Sequence, residues 1–166
     1  MLEGVKMIFV CVGSRDYQFD RLIKKVDELC QNGLIKEHVV MQIGESNYVP
    51  KSCEYYKFID KQKFDEYQDN ASIIISHGGT GALIGALKKG KQVISVPRLS
   101  RFGEHIDDHQ MQVSTFLEEM GYIKMVVDID GLINSINDLY IHPIDKKYNR
   151  PSNVIKIIEQ YISDNT

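Results

Sequence analysis

The chain has 166 residues, of which 43% are apolar and 26% charged, and its net charge is −3. That length supports one domain with a substantial hydrophobic core rather than two. The slightly acidic balance argues against a nucleic-acid partner, which would call for a concentrated basic face.

Strand-like and helix-like segments alternate along the sequence. Residues 6–13 (KMIFVCVG) form a short apolar, β-rich run ending in glycine, as a buried parallel strand does. Phe19, Leu22, Ile23, Val26, Leu29 and Cys30 then recur at helical spacing, and Gly33 stops that helix. Strands are expected over 38–44, 54–58, 72–76, 92–97 and 123–128. Helices are expected over 63–69, 81–89, 108–120 and 132–140, with a terminal helix at about 152–164. Strands separated by helices pair in parallel, so the expected fold is an α/β, Rossmann-like doubly wound sheet forming a single domain over 1–166. Ligands of such sheets sit at the carboxyl ends of the strands.

Cys11, Cys30 and Cys53 are odd in number and lack CxxC spacing, which indicates neither a disulfide framework nor a zinc site. Cys11 and Cys30 read as small core residues, a usage that suits a reducing compartment. No secretory signal opens the sequence and no apolar run approaches the ~20 residues of a membrane span, so a cytoplasmic location is expected. Lys88, Lys89 and Lys91 gather at a helix end, where they complement the helix dipole.

Three strand-end loops carry the chemistry. Ser76-His77-Gly78-Gly79-Thr80-Gly81 lies between a buried strand and a helix. Its glycines admit close backbone approach and the helix amides favour an anion, of which a diphosphate is the natural case. The Walker lysine and the GxGxxG spacing are both missing, and a tight turn without ligand is the alternative. The second loop, 97–110, contains His105, Asp107, Asp108, His109 and Gln110. Asp107 or Asp108 suits the N-cap of the following helix. A metal is not expected, because no other strand end supplies a matching carboxylate cluster. His109 and Gln110 are better suited to reading sugar hydroxyls. The third loop, Val12-Gly13-Ser14-Arg15-Asp16, is a glycine turn that either touches phosphate or is a plain turn.

Taken together, VGSRDYQFDRLIKKVDEL, IISHGGTGALIGALKKGKQVISVPR and GEHIDDHQ resemble the glycosyltransferase family 28 C-terminal domain, across roughly residues 5–122. More narrowly, they are similar to its stand-alone members: subunits of bacterial capsular and exopolysaccharide glycosyltransferases, and the cytosolic subunit of the eukaryotic dolichol-linked UDP-GlcNAc transferase. The resemblance implies the donor-holding half of a GT-B glycosyltransferase. It places Gly13 and Ser14 near the diphosphate or reaction centre, His77, Gly78, Gly79, Thr80 and Gly81 against the diphosphate and nucleoside, and His109 and Gln110 at the donor sugar. No cofactor or metal is implied, because backbone amides and the helix dipole stabilise the leaving diphosphate. Related enzymes often place a ribose-holding glutamate where this sequence has Gly85, so either another group holds the ribose, with Glu104 the candidate, or donor binding differs.

The resemblance further implies a membrane-associated, acceptor-binding partner subunit that holds a lipid-linked acceptor and recruits this chain to the cytoplasmic face of the membrane. Transfer of a hexose or N-acetylhexosamine from a UDP-sugar is the implied reaction. His105, His109 and Asp107 are the candidate general bases, unless the partner supplies that group. A non-catalytic enhancer subunit is the alternative, kept open by Gly85, while a GT-B epimerase would need both halves in one chain. Val154, Ile155, Ile157, Ile158, Tyr161 and Ile162 form a wide apolar stripe that packs on its own domain, on a partner or in a homodimer.

Overall fold

A computed structural model describes residues 6–149 and 154–164. In chain order the elements are β1 (Met7–Cys11), α1 (Asp20–Gln31), β2 (His38–Gln42), β3 (Glu54–Tyr56), α2 (Lys61–Asn70), β4 (Ile73–Ser76) and α3 (Thr80–Lys88). β5 (Gln92–Ser95), α4 (His109–Glu119), β6 (Lys124–Met125), α5 (Leu132–Ile141) and α6 (Val154–Asp164) complete them. Every expected segment is present, and β6 is shorter than the run that announced it. A 3₁₀ turn at Ser100–Phe102, with no helical periodicity to announce it, sits inside the loop after β5.

All six strands pair in parallel in the order β3-β2-β1-β4-β5-β6. The period-2 alternation of β1 divides the core between the two faces. Ile8, Val10 and Val12 join α1 and α5, through Leu22, Val26, Leu132 and Ile136. Phe9 and Cys11 join α3, α4 and α6 on the opposite face, through Leu83, Leu87, Val113, Leu117 and Ile158. β4 (IIIS) is buried at every position because helices cover both of its faces.

Ile158 and Ile162 of α6 are buried on the second face, so this described part of the terminal stripe packs on its own domain. The side chains of Val154 and Ile155, and residues 152–153 of the expected helix, lie outside the described residues. Lys89 pairs with Asp65 and Asp69, and the Lys91 ammonium donates to the Asp69 and Ala71 carbonyls, so these two lysines hold α3 to α2.

Cys11 is buried as expected, and burial pushes its thiol up to about 12. Cys30 packs against the edge of the core rather than inside it. It is partly exposed at the end of α1 and faces Cys53, with the two sulfurs 3.2 Å apart. A helix of 3.6 residues per turn places Cys30 at the margin of the apolar stripe rather than at its centre.

Candidate functional site

β1 lies between β2 and β4, so the loops after β1 and β4 diverge and open a crevice at the strands' carboxyl ends. There a cavity of about 470 Å³ is lined by all three loops singled out in the sequence. The β1 loop contributes Gly13 and Arg15, the β4 loop His77 through Thr80, and the β5 loop Arg98, His105, Asp107, His109 and Gln110.

The β4 loop is shaped by close packing. Gly78 has φ +87°, and a Cβ there would lie 3.1 Å from both Gln110 Cβ and Ser114 Oγ. Gly79 has an ordinary negative φ, and its need for glycine is steric: a Cβ would meet His77 Nε2 at 2.3 Å. Gly13, at φ +80°, would bring a Cβ to 2.7 Å from the same nitrogen. The His77 ring is thus clasped between two glycine turns. Its Nδ1 lies 3.3 Å from the Cys11 carbonyl, an acceptor, so Nδ1 carries the proton and Nε2 is bare. Burial, with the Arg98 guanidinium adding to it, depresses the imidazole to about 4, and the ring is neutral at physiological pH. Behind the loop the first amides of α3 have no carbonyl partner within the helix, and they supply its positive dipole end.

Arg98, absent from the sequence candidates, organises the cavity. Its side chain is 1% exposed, and its Nη1 donates to the carbonyls of Tyr17, Gln18 and Glu104 at 3.0, 2.9 and 3.1 Å. Its Nη2 donates to the Val12 carbonyl. One guanidinium therefore ties the β1 loop to the β5 loop while placing a positive charge at the cavity wall. Burial lowers it to about 10, with Glu104 opposing, which leaves it protonated near neutrality. Its position directly after an apolar strand was the available signal. Arg15 and Ile106 were likewise not singled out: Arg15 is an exposed cation at the rim, and Ile106 is 75% exposed.

Glu104 corrects the sequence expectation. It is fully buried, and its carboxylate accepts from Arg21 Nε and Nη2 at 2.8 and 3.0 Å and from the Leu99 amide at 2.9 Å. With both oxygens engaged and no share in the cavity lining, it is not placed to hold a ribose. Its task is to neutralise Arg21 and brace the loop that carries Arg98. Ser14 and Gly81 also fall outside the cavity lining: Ser14 opens onto a neighbouring shallow hollow, and Gly81 is exposed in the first turn of α3.

Gln110 uses Oε1 to accept from the Arg98 amide at 3.1 Å, which leaves its Nε2 as the end available to a ligand. Asp107, not Asp108, satisfies the start of α4: its Oδ1 accepts from the His109 amide at 3.0 Å. The same Oδ1 lies 3.1 Å from His105 Nδ1, which orients that ring at the cavity wall beside Tyr17, 5.2 Å away between ring centroids. The His109 amide, with the His105 contacts, holds the Asp107 carboxyl below its ordinary value. Asp108 instead turns back to the Ser100 amide and hydroxyl.

Residues 7–163 match the glycosyltransferase family 28 C-terminal domain. The chain belongs to this family. Among curated relatives, the UDP-N-acetylglucosamine transferase subunit ALG13 of Mus musculus is 29% identical over 130 residues, covering 72% of this chain and 10% of its own length. Its Homo sapiens counterpart is 28% identical over 135 residues, with 72% and 11% covered. The family 28 chain thus spans about a tenth of the length of these relatives. Among solved structures, the fold is shared with ALG13 as determined by NMR, at TM-score 0.63 and 19% identity, covering 95% of this chain and 97% of that one. It is shared too with the UDP-GlcNAc 2-epimerase of Neisseria meningitidis bound to UDP-GlcNAc, at 0.62 and 15%, covering 98% and 45%. The glycosyltransferase SnogD of Streptomyces nogalater scores 0.61 at 17% identity, covering 99% and 41%.

Proposed function

We propose that this family 28 domain holds a UDP-sugar and acts as the donor-binding subunit of a two-subunit glycosyltransferase. The observation that carries the reading is the single cavity in which the glycine-lined β4 loop, the α3 N-terminus and His109 and Gln110 meet. In the proposed arrangement the diphosphate lies against Gly78, Gly79 and Thr80, and the donor sugar lies against His109 and Gln110. The positive charge that would meet the departing UDP anion comes from the α3 N-terminus, Arg98 and Arg15, and the site is assigned no metal or other cofactor.

The transferred group is proposed to be a hexose or N-acetylhexosamine, and the acceptor a polyprenyl-diphosphate-linked sugar of capsular or exopolysaccharide synthesis. The acceptor would be held by a membrane-associated partner that brings this chain to the cytoplasmic membrane face. Three facts support a partner. The curated relatives are named as subunits, the cavity is open to solvent on one side, and the exposed Ile106 stands at its rim. Among the described residues no helix is long and apolar enough to cross a membrane. Of the candidate bases, His105 is the best oriented, because the contacts of its Nδ1 with the Asp107 carboxylate and amide fix the ring at the cavity wall.

The second reading, an enhancer that activates a partner without holding donor, is favoured by Gly85, which leaves α3 without the ribose-holding glutamate. Calorimetric titration of the purified chain with UDP and with UDP-linked galactose, glucose, N-acetylglucosamine and glucuronate separates the two. Saturable binding supports the donor subunit. Absence of binding both alone and with partner present supports the enhancer.

A further inference from the structure

The loop between β2 and β3 is held along the flank of α1 by a ladder of hydrogen bonds. The Phe19 amide donates to Ser46 Oγ at 3.0 Å, and the Asn47 and Tyr48 amides donate to Asp20 Oδ1 at 2.7 and 2.9 Å. Two turns further along α1, Asp27 is fully buried and receives the Tyr48 hydroxyl and the amides of Lys51 and Ser52. The next rung is Cys53 Sγ against Cys30 Sγ, 3.2 Å apart and 23 residues apart in sequence. Both side chains are partly exposed and both are free thiols. The Asp27 rung on one side and the pairing of Glu54 with β2 on the other fix the backbone that carries Cys53, so little rearrangement separates this contact from the ~2.05 Å of a disulfide.

We propose that Cys30 and Cys53 form a modification site, a dithiol that peroxide converts to an intramolecular disulfide clipping the β2–β3 loop to α1. The Cys53 thiol donates to the Cys30 sulfur, which holds Cys30 below the ordinary thiol value against the opposing effect of burial and pushes Cys53 up. Cys30, the acceptor in that contact, attacks first, and the reverse order gives the same disulfide with the same balance. Its thiolate attacks one peroxide oxygen, the O–O bond breaks, and the departing hydroxide becomes water, leaving a sulfenic acid on Cys30. The Cys53 sulfur then attacks that sulfur, the S–S bond forms as the S–O bond breaks, and the leaving hydroxide takes up the Cys53 proton. Two thiols and one hydrogen peroxide yield one disulfide and two waters. Cys11, buried with its thiol raised to about 12, takes no part and serves as an internal control.

The test treats the purified full chain with hydrogen peroxide and follows free thiols after unfolding, intact mass and a non-reducing peptide map. The expected result is a fall from three thiols to one, a mass loss of two hydrogens and a Cys30–Cys53 cross-linked peptide, all reversed by dithiothreitol. The melting midpoint should rise by roughly 5 °C or more on oxidation, because the link restricts the unfolded chain. Cys53→Ser should instead accumulate sulfinic acid on Cys30, and Cys11→Ser should oxidise as the parent does. Separate sulfinic acids on the two cysteines of the parent chain, dimers linked between molecules, or a lowered melting midpoint after bridging would each overturn the proposal.

Discussion

His77 illustrates how much one residue of the β4 loop depends on its neighbours. The folded chain holds its imidazole near 4 against an ordinary 6.5, so between these values the unfolded chain binds a proton that the folded chain refuses. Stability is unaffected above about 6.5, falls as the pH drops toward 4, and is level below, with a total loss of up to about 3 kcal/mol. Urea denaturation at a series of pH values should show this slope in the parent and lose it in His77→Gln. The same ring makes Gly79 sensitive. Gly79→Ala puts a methyl 2.3 Å from Nε2, so the ring must leave its place. If the cavity holds UDP as proposed, the affinity is expected to fall at least tenfold, of order 1.4 kcal/mol or more, in a protein that still melts cooperatively. The double variant His77→Ala/Gly79→Ala should recover stability relative to additivity while donor affinity stays low, since the two positions are in direct contact. Full stability and unchanged UDP affinity in Gly79→Ala would refute the described loop geometry.

At the scale of elements, α3 combines two tasks that its sequence holds in tension. Its N-terminus presents amides to the cavity, and its interior carries Gly85, where a Cβ would meet nothing within 4 Å. Glycine there weakens the helix by roughly 0.5–1 kcal/mol relative to alanine and supports no tight packing in return. Gly85→Glu is therefore expected to stabilise the domain by a few tenths of a kcal/mol or more, read as a higher urea midpoint. If the ribose lies where the family relation places it, the same change should strengthen uridine nucleotide binding. Stabilisation without any change in UDP affinity would put the nucleoside elsewhere in the crevice. α4 shows a related division of labour: Asp107 serves the helix start and His105 together, whereas Asp108 serves the 3₁₀ turn.

For the whole molecule, the crevice is held open by one buried polar network that joins distant parts of the chain. Arg21 and Glu104 are 83 positions apart, and Arg98 reaches Val12 across 86. A half-satisfied buried network costs more than an apolar one, so removing one charge should be felt throughout. Glu104→Gln leaves Arg21 and Arg98 without their shared anion and is expected to cost about 3 kcal/mol of unfolding free energy. Because Glu104 does not line the cavity, the folded fraction should bind UDP within about twofold of the parent. Arg98→Met should impair both properties, since it frees four carbonyls and removes a positive charge from the wall. A Glu104→Gln protein of parental stability that had lost UDP binding would restore this carboxylate to the ligand.

The segments of this family 28 chain could be read directly from its residues. Helical spacing from Phe19 to Cys30, the four-residue buried run of β4 and the glycine that ends α1 are encoded within a few neighbouring positions, so local rules suffice. So could the three loops, because a parallel α/β sheet gathers its strand ends on one side whatever the side chains are. Which side chains turn inward was decided only by the tertiary structure. Glu104 sits between Gly103 and His105 with nothing local to mark it as buried, and its burial follows from Arg21 arriving from α1. Arg98 became the centre of the crevice because β1 and β5 lie on either side of β4, an order that no stretch of sequence states. Cys30 and Cys53 meet because the ladder through Asp27 folds one loop onto one helix. Periodicity acts over a turn or a pleat, whereas these contacts join residues 23 to 86 positions apart and exist only once the sheet order is set.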